Sequence, residues 1–282
     1  MSLRYQIEYS TTNIYENEAE GAKWQFLLVP QHLPEQQLLK NTTVTSVPCV
    51  IYTGINAFGF ETLMVSSRHS FTEFSLRCTF DILKEELNPF DLPMKDTDSQ
   101  YQIINSHEFK VDHLSYIRST SLTHYPSHQE LGFKFDRAAN ILDNLIALNK
   151  HVHDLLEFQT MVTDVNTTLD MILHQKKGVC QDFTHLFCAL ARGNAIPCRY
   201  VSGYLHQGVG FTGELQMHAW AEALIPGTGW IGFDPTNNIL TNHHHVKVCH
   251  GRDYRDCAPI KGVVYTSGTN STSYNVQVIT QQ

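Results

Sequence analysis

The sequence predicts an α+β protein in two parts: an all-β, sandwich-like domain over residues 1–96 and a mixed core of helices and antiparallel sheet over residues 97–282. Three observations carry this. Short runs of alternating apolar and polar residues fill the chain from Arg4 to about Leu87. Helical periodicity takes over beyond a segment rich in Pro, Asp and Ser, and sheet patterning returns after Pro197.

The strand-like runs are RYQIEYS, AKWQFLLVP, TVTSVPCVIYT, FETLMVSS and FTEFSLRCTFDI. Alternation is clearest in residues 4–9 and 74–80, where every second residue is apolar, as half-buried strands require. Turn residues such as Gly54 and Gly59 separate the runs, and Asn88 to Ser99, with Pro89 and Pro93, reads as the linker. Residues 135–158 then place Ile141, Leu142, Leu145, Leu148 and Val152 at helical spacing, with a possible break near Asn149. A short helical turn near Leu169 follows.

Gly178 to Leu205 opens with Cys180 at the head of an amphipathic helix, since Phe183, Leu186, Phe187 and Leu190 recur at i, i+3, i+4, i+7. That helix should end near Gly193-Asn194, because Pro197 cannot continue it. Beyond it come a strand over 198–204, a glycine-rich loop over 208–213, and strands over 216–225 and 230–234 around the turn Pro226-Gly227-Thr228-Gly229. Two or three further strands lie near 246–249, 262–265 and 273–279.

Composition narrows the partners. A formal charge of −8 disfavours nucleic acid and anionic membranes, which both attract basic surfaces. The amino terminus has no apolar stretch of secretory type and no run approaches a membrane span, so the expected location is the cytoplasm. Seven scattered cysteines fit reduced thiols better than a disulfide framework.

A first-turn cysteine meets free N–H groups and the positive end of the helix dipole, which favour thiolate over thiol. A nucleophile also needs a base, and the base needs an orienting group. The period of two puts His218, Trp220 and Glu222 on one face of their strand, and Trp230, Gly232 and Asp234 on one face of the next. If the connecting loop has an odd number of residues, His218 and Asp234 fall on one side of the hairpin, within about one residue pair. The candidate catalytic residues are therefore Cys180, His218 and Asp234.

The strings GVCQDF, IPCRYVSGYL, HAWAEA, GWIGFDPTNN and GRDY resemble the microbial transglutaminase-like proteins, and the β-rich first hundred residues resemble the domain that often precedes that core. The resemblance implies a papain-like core, a helix bearing Cys against a sheet bearing His and Asp. It also implies acyl transfer at a peptide or isopeptide amide through a thioester. Water or an amine could accept the acyl group, with hydrolysis taken first. The Cys180 N–H is one expected oxyanion donor. Gln175, by proximity alone, is the candidate for the second.

Other residues have ordinary readings. Asp182 should complement the helix start, and His185, about 140° around the helix from Cys180, should face away. His243-His244-His245 and Cys249-His250 lack metal-ligand spacing, so neither metal nor cofactor is expected. Trp220 and Trp230 could wall a groove or pack in the core, and Arg252 could border the cleft or pair with a carboxylate. Loops 207–214 and 243–254 should read the substrate. An acyl-CoA-using transferase on the same three residues would need a basic phosphate cradle that the chain does not display. A non-catalytic binding module on the same fold is the alternative from another class, and the oligomeric state is open.

Overall fold

A computed structural model describes residues 2–85, 93, 95–126, 132–206 and 217–281. In chain order the elements are β1 (Ser2–Ala19), β2 (Gly21–Phe26), β3 (Gln36–Thr45), β4 (Val50–Ile55), β5 (Glu61–Ser67), β6 (Phe71–Glu85), α1 (Thr97–Asn105), α2 (His107–Asp112), α3 (Leu114–Ile117) and α4 (Ile141–Leu155). After them come β7 (Glu157–Phe158), α5 (Leu169–Gln175), β8 (Lys177–Gly178), α6 (Cys180–Gly193), β9 (Cys198–Leu205), β10 (His218–Ile225), β11 (Gly229–Asp234), β12 (Ile239–Leu240), β13 (His245–Gly251), α7 (Tyr254–Cys257), β14 (Ile260–Tyr265) and β15 (Asn270–Gln281).

The core sheet has the order β12-β11-β10-β9-β13 and is antiparallel throughout. Helix α6 lies against it: Ala219, Ala221 and Ala223 leave room on one face of β10, while Phe183, Leu186, Phe187 and Leu190 are all buried. The ring of Phe187 stacks on Phe233 at 5.3 Å. This is the α+β arrangement expected from the alternation of helix and strand periods.

Two four-stranded sheets make up the β-rich part, ordered β15-β1-β6-β3 and β14-β2-β5-β4. They pack through aromatic contacts, Trp24 of β2 stacking on Phe74 of β6 at 3.9 Å. Here the expected division at 96/97 needs correcting. Strands β14 and β15 fall in the stretch assigned to the core, yet β14 pairs with β2 and β15 pairs with β1, from Arg4↔Gln281 to Tyr15↔Asn270. The tail returns to the beginning of the chain because β1 and β2 would otherwise leave long apolar edges unpaired.

Smaller expectations also change. The run 43–53 is two strands in different sheets, interrupted around Pro48, which has no N–H to give to a ladder. Helix α4 starts at an Asn140 cap and runs through Asn149 without a break. Asn149 is buried because its amide reaches the carbonyls of Asp234 and Ile239, each at 3.4 Å. The glycine-rich loop 208–213 and most of the segment read as a linker lie outside the described residues; its last part begins α1, which Asp96 caps.

The sheets meet the core through directional contacts. The Gln36 amide donates to the Lys247 carbonyl at 2.7 Å and accepts from the Lys247 N–H at 2.8 Å, and the Tyr204 hydroxyl donates to the Leu28 carbonyl at 2.8 Å. Truncation before Ile260 should therefore lower the unfolding midpoint of the whole protein in a thermal melt. An unchanged, cooperative melt would contradict this topology.

Candidate functional site

Cys180 is the first residue of α6, and its position is fixed by what surrounds the helix start. Val179, the N-cap, has no side-chain acceptor. Asp182 supplies the cap instead: its Oδ2 accepts from the Val179 N–H at 2.8 Å and from the Thr163 hydroxyl at 2.6 Å. Burial pushes the Asp182 carboxyl up to about 6, against the pull of those two hydrogen bonds. Gly178 is required here, because a Cβ on it would stand 2.5 Å from Asp182 Oδ2. The capping role expected for Asp182 is thus what the structure displays.

The β10/β11 hairpin brings the other two residues together. Ala221 pairs with Phe233, a register that sets Asp234 one step beyond and on the His218 side. The His218 Nε2–H donates to Asp234 Oδ2 at 2.8 Å, and the same imidazole hydrogen-bonds Cys180, for which Nδ1 remains. Burial would depress the imidazole, but the charge and hydrogen bond of Asp234, with a smaller contribution from Cys180, raise it to about 10.

Asp234 is fully buried, and its carboxylate accepts from His218 Nε2, His245 Nε2, the Asn237 amide and the backbone N–H groups of Thr236 and Asn237. Burial opposes ionisation, yet the His218 charge and these donors hold the carboxyl well below the usual carboxylate range. His245 was not anticipated in this role. Burial pushes it down, so it is neutral; its Nδ1 accepts from the Asn242 N–H at 3.2 Å, which leaves the proton on Nε2 for Asp234, also at 3.2 Å. The three-histidine run concealed it, since consecutive strand residues face opposite ways and the neighbouring His244 stacks instead on His206.

Among the described residues, His218, Asp234 and His245 form one group whose ligand-type atoms lie within 4.8 Å of one another. The two His–Asp separations are hydrogen-bond lengths. An ion there would take the nitrogen through which Asp234 orients His218.

Cys180 and His218 open into a cleft of about 360 Å3, walled by Tyr200, Tyr254, Met217 and, from the β-rich sheets, Tyr9 and Tyr274. The buried Tyr200 ring packs on His185 at 5.1 Å and near Tyr254 at 6.5 Å. Burial and then the charge of Cys180 keep its hydroxyl protonated. A larger hollow of about 500 Å3, lined by residues of the β14-β2-β5-β4 sheet, contains no thiol or imidazole.

Several candidates lie elsewhere. Gln175 donates to the Lys177 carbonyl at 2.9 Å and is not part of the cleft wall. Trp220 fills the space over Gly203 against His245, and Trp230 stacks under the Arg199 guanidinium at 4.1 Å, so neither lines the cleft. His185 is buried and accepts from the Tyr254 N–H. Arg252 pairs with Asp256 at 2.9 Å. Of the two loops expected to read substrate, 207–214 lies outside the described residues, and 243–254 contributes Tyr254.

Residues 131–235 match the family model of the transglutaminase-like superfamily, a span that contains Cys180, His218 and Asp234. An uncharacterized protein of Mycobacterium leprae is 29% identical over 280 residues, covering 98% of this chain and 97% of its own length. An uncharacterized protein of Mycobacterium tuberculosis is 33% identical over 140 residues, 46% of this chain and 45% of that protein. Among solved structures, a candidate cysteine protease from Cytophaga hutchinsonii superposes with a TM-score of 0.79 at 20% identity, over 100% of this chain and 92% of that one. This last likeness shows the fold.

The cap on α6 can be tested directly. Asp182→Ala should cost about 1–2 kcal/mol of stability in denaturant unfolding. A variant as stable as the wild type would contradict the assignment of Asp182 as the cap.

Proposed function

With the transglutaminase-like core carried by residues 131–235 as premise, we propose that this chain is a cysteine-dependent acyl-transfer enzyme acting on a peptide or isopeptide amide. The observation that carries the reading is one imidazole joined at once to a helix-start thiol and to a buried carboxylate.

Within this reading, His218 takes the proton of Cys180, which leaves the thiolate as the nucleophile. The thiolate attacks the amide carbonyl and forms a C–S bond. The oxyanion is met by the Cys180 N–H, which as the first helical residue has no partner within α6. His218 gives its Nδ1 proton to the departing amine, the C–N bond breaks, and a thioester remains on Cys180. Water, or an amine, then loses its proton to His218 and attacks the thioester, which returns the thiolate. Asp234 keeps Nε2–H pointed away from the thiol and balances the imidazolium charge. Hydrolysis is the acceptor route placed first, and a reducing cytoplasm is the setting in which the free thiols would persist.

Mass spectrometry of the protein incubated with a peptide library, with and without an added primary amine, tests the reading. An acyl adduct on Cys180 that is absent from Cys180→Ala, and that is discharged to acid or to amide, supports it. A library processed equally by Cys180→Ala would contradict it. Activity should also depend on pH in a defined way. The His218 proton is retained below about 10, so turnover should be lost as pH rises through that value. Asp234→Asn should move that alkaline limb to lower pH and reduce kcat/KM at least about 100-fold.

A further inference from the structure

Part of the wall of the cleft that holds Cys180 comes from strands at the two ends of the chain. Tyr9 lies on β1 and Tyr274 on β15, where Tyr274 pairs with Thr11. Tyr9 is thus its diagonal neighbour on the same face, within reach of an aromatic ring. Tyr254 of α7 completes the wall.

The Tyr9 side chain is 1% exposed and its hydroxyl has no hydrogen-bond partner. The neighbouring Thr11 hydroxyl gives its own proton to the Ser273 carbonyl at 3.1 Å and offers the phenol only a weak contact outside hydrogen-bond geometry. An unmet buried hydroxyl is destabilising, and phenylalanine would fill the same volume without that cost. The donor is explained if its acceptor arrives with a substrate. Tyr274 is 44% exposed, open to an incoming chain.

The chemistry of the cleft limits what that chain can be. Among its described lining residues there is no lysine or arginine. Asp164 is the one carboxylate, and its Oδ1 is already held by the Asn166 N–H and the Thr167 hydroxyl. Met161, Val165, Met217 and Pro259 present apolar surface beside the phenols. A carboxylate-bearing ligand finds no lysine or arginine among the described lining residues, and the charge of His218 is already balanced by Asp234, whereas phenol donors suit neutral carbonyls.

We propose that Tyr9, Tyr254 and Tyr274 form a subsite for the acyl donor, with the Tyr9 hydroxyl donating to a main-chain carbonyl of an uncharged peptide carrying apolar side chains. The β-rich sheets are then part of the active site. This rests on the reading of Cys180 as nucleophile, and the test separates the two.

The probes are iodoacetamide, which carries no peptide, and two peptidyl fluoromethyl ketones, one with Phe-Ala and one with Glu-Ala before the reactive carbon. All three alkylate a thiolate, and mass spectrometry reports the site. The wild type should react with the Phe-Ala ketone about tenfold faster than with the Glu-Ala ketone. Tyr9→Phe and Tyr274→Ala should each slow the Phe-Ala ketone about tenfold through weaker reversible binding. Iodoacetamide rates should stay within about twofold, which would exclude damage to the thiol. Tyr274→Ala keeps the test decisive if Tyr9→Phe does not fold, because its side chain is half exposed.

Cys180 alkylated by iodoacetamide, together with ketone rates unaltered in both variants or no preference for Phe-Ala over Glu-Ala, would overturn the subsite alone. Failure of all three probes to label Cys180 in the wild type would overturn the nucleophile reading and the subsite with it.

Discussion

The carboxylate of Asp234 is the buried charge on which the arrangement depends. An isolated carboxylate in such a place would take up a proton, because desolvation costs more than one hydrogen bond returns. Here its two oxygens collect donors from two imidazoles, one amide and two backbone N–H groups. The carboxylate stays ionised, and its charge outweighs the burial that would otherwise strip His218 of its proton. Cys180, at the positive end of α6, is the remaining partner of that imidazolium. Helix, hairpin and carboxylate converge because each favours the charge state of the next.

Much of this was legible in the sequence, for reasons of period. His218 and Asp234 lie on neighbouring strands of one hairpin, and alternation fixes which face each occupies. Cys180 precedes an apolar stripe of helical spacing, so its place in the first turn follows from Phe183 to Leu190. What periodicity does not encode is pairing between distant segments. Nothing in residues 270–281 announces that they will lie along residues 4–15. His245 was hidden for a related reason: it reaches Asp234 from β13, whose pairing with β9 shifts register between Lys247 and Cys249. The tyrosines of the cleft read as strand and loop residues until the fold brings Tyr9, Tyr254 and Tyr274 to one wall.

That wall changes the meaning of the amino-terminal strands. Their sheets are closed by the carboxy-terminal strands and tied to β13 through Gln36, so the division of the chain into a leading domain and a core does not describe how the polypeptide is wound. The cleft forms where the two ends of the chain meet the core sheet. Its phenol-rich lining, without lysine or arginine among the described residues, contrasts with the charged network of Arg199, Glu222 and Lys247 elsewhere on that sheet, where the Glu222 carboxylate is shared between both cations at 2.6 to 2.9 Å. Charge there is spent on internal pairing.

The claim at the centre of this account is that Asp234 holds His218 protonated far above the ordinary histidine range. An NMR titration of the His218 ring nitrogens in the intact protein reads that state directly. The imidazolium should persist through neutral pH and titrate near 10, and should titrate at much lower pH in Asp234→Asn. A His218 ring that is neutral at pH 7 in the wild-type protein, or one indifferent to the loss of the Asp234 charge, would contradict it.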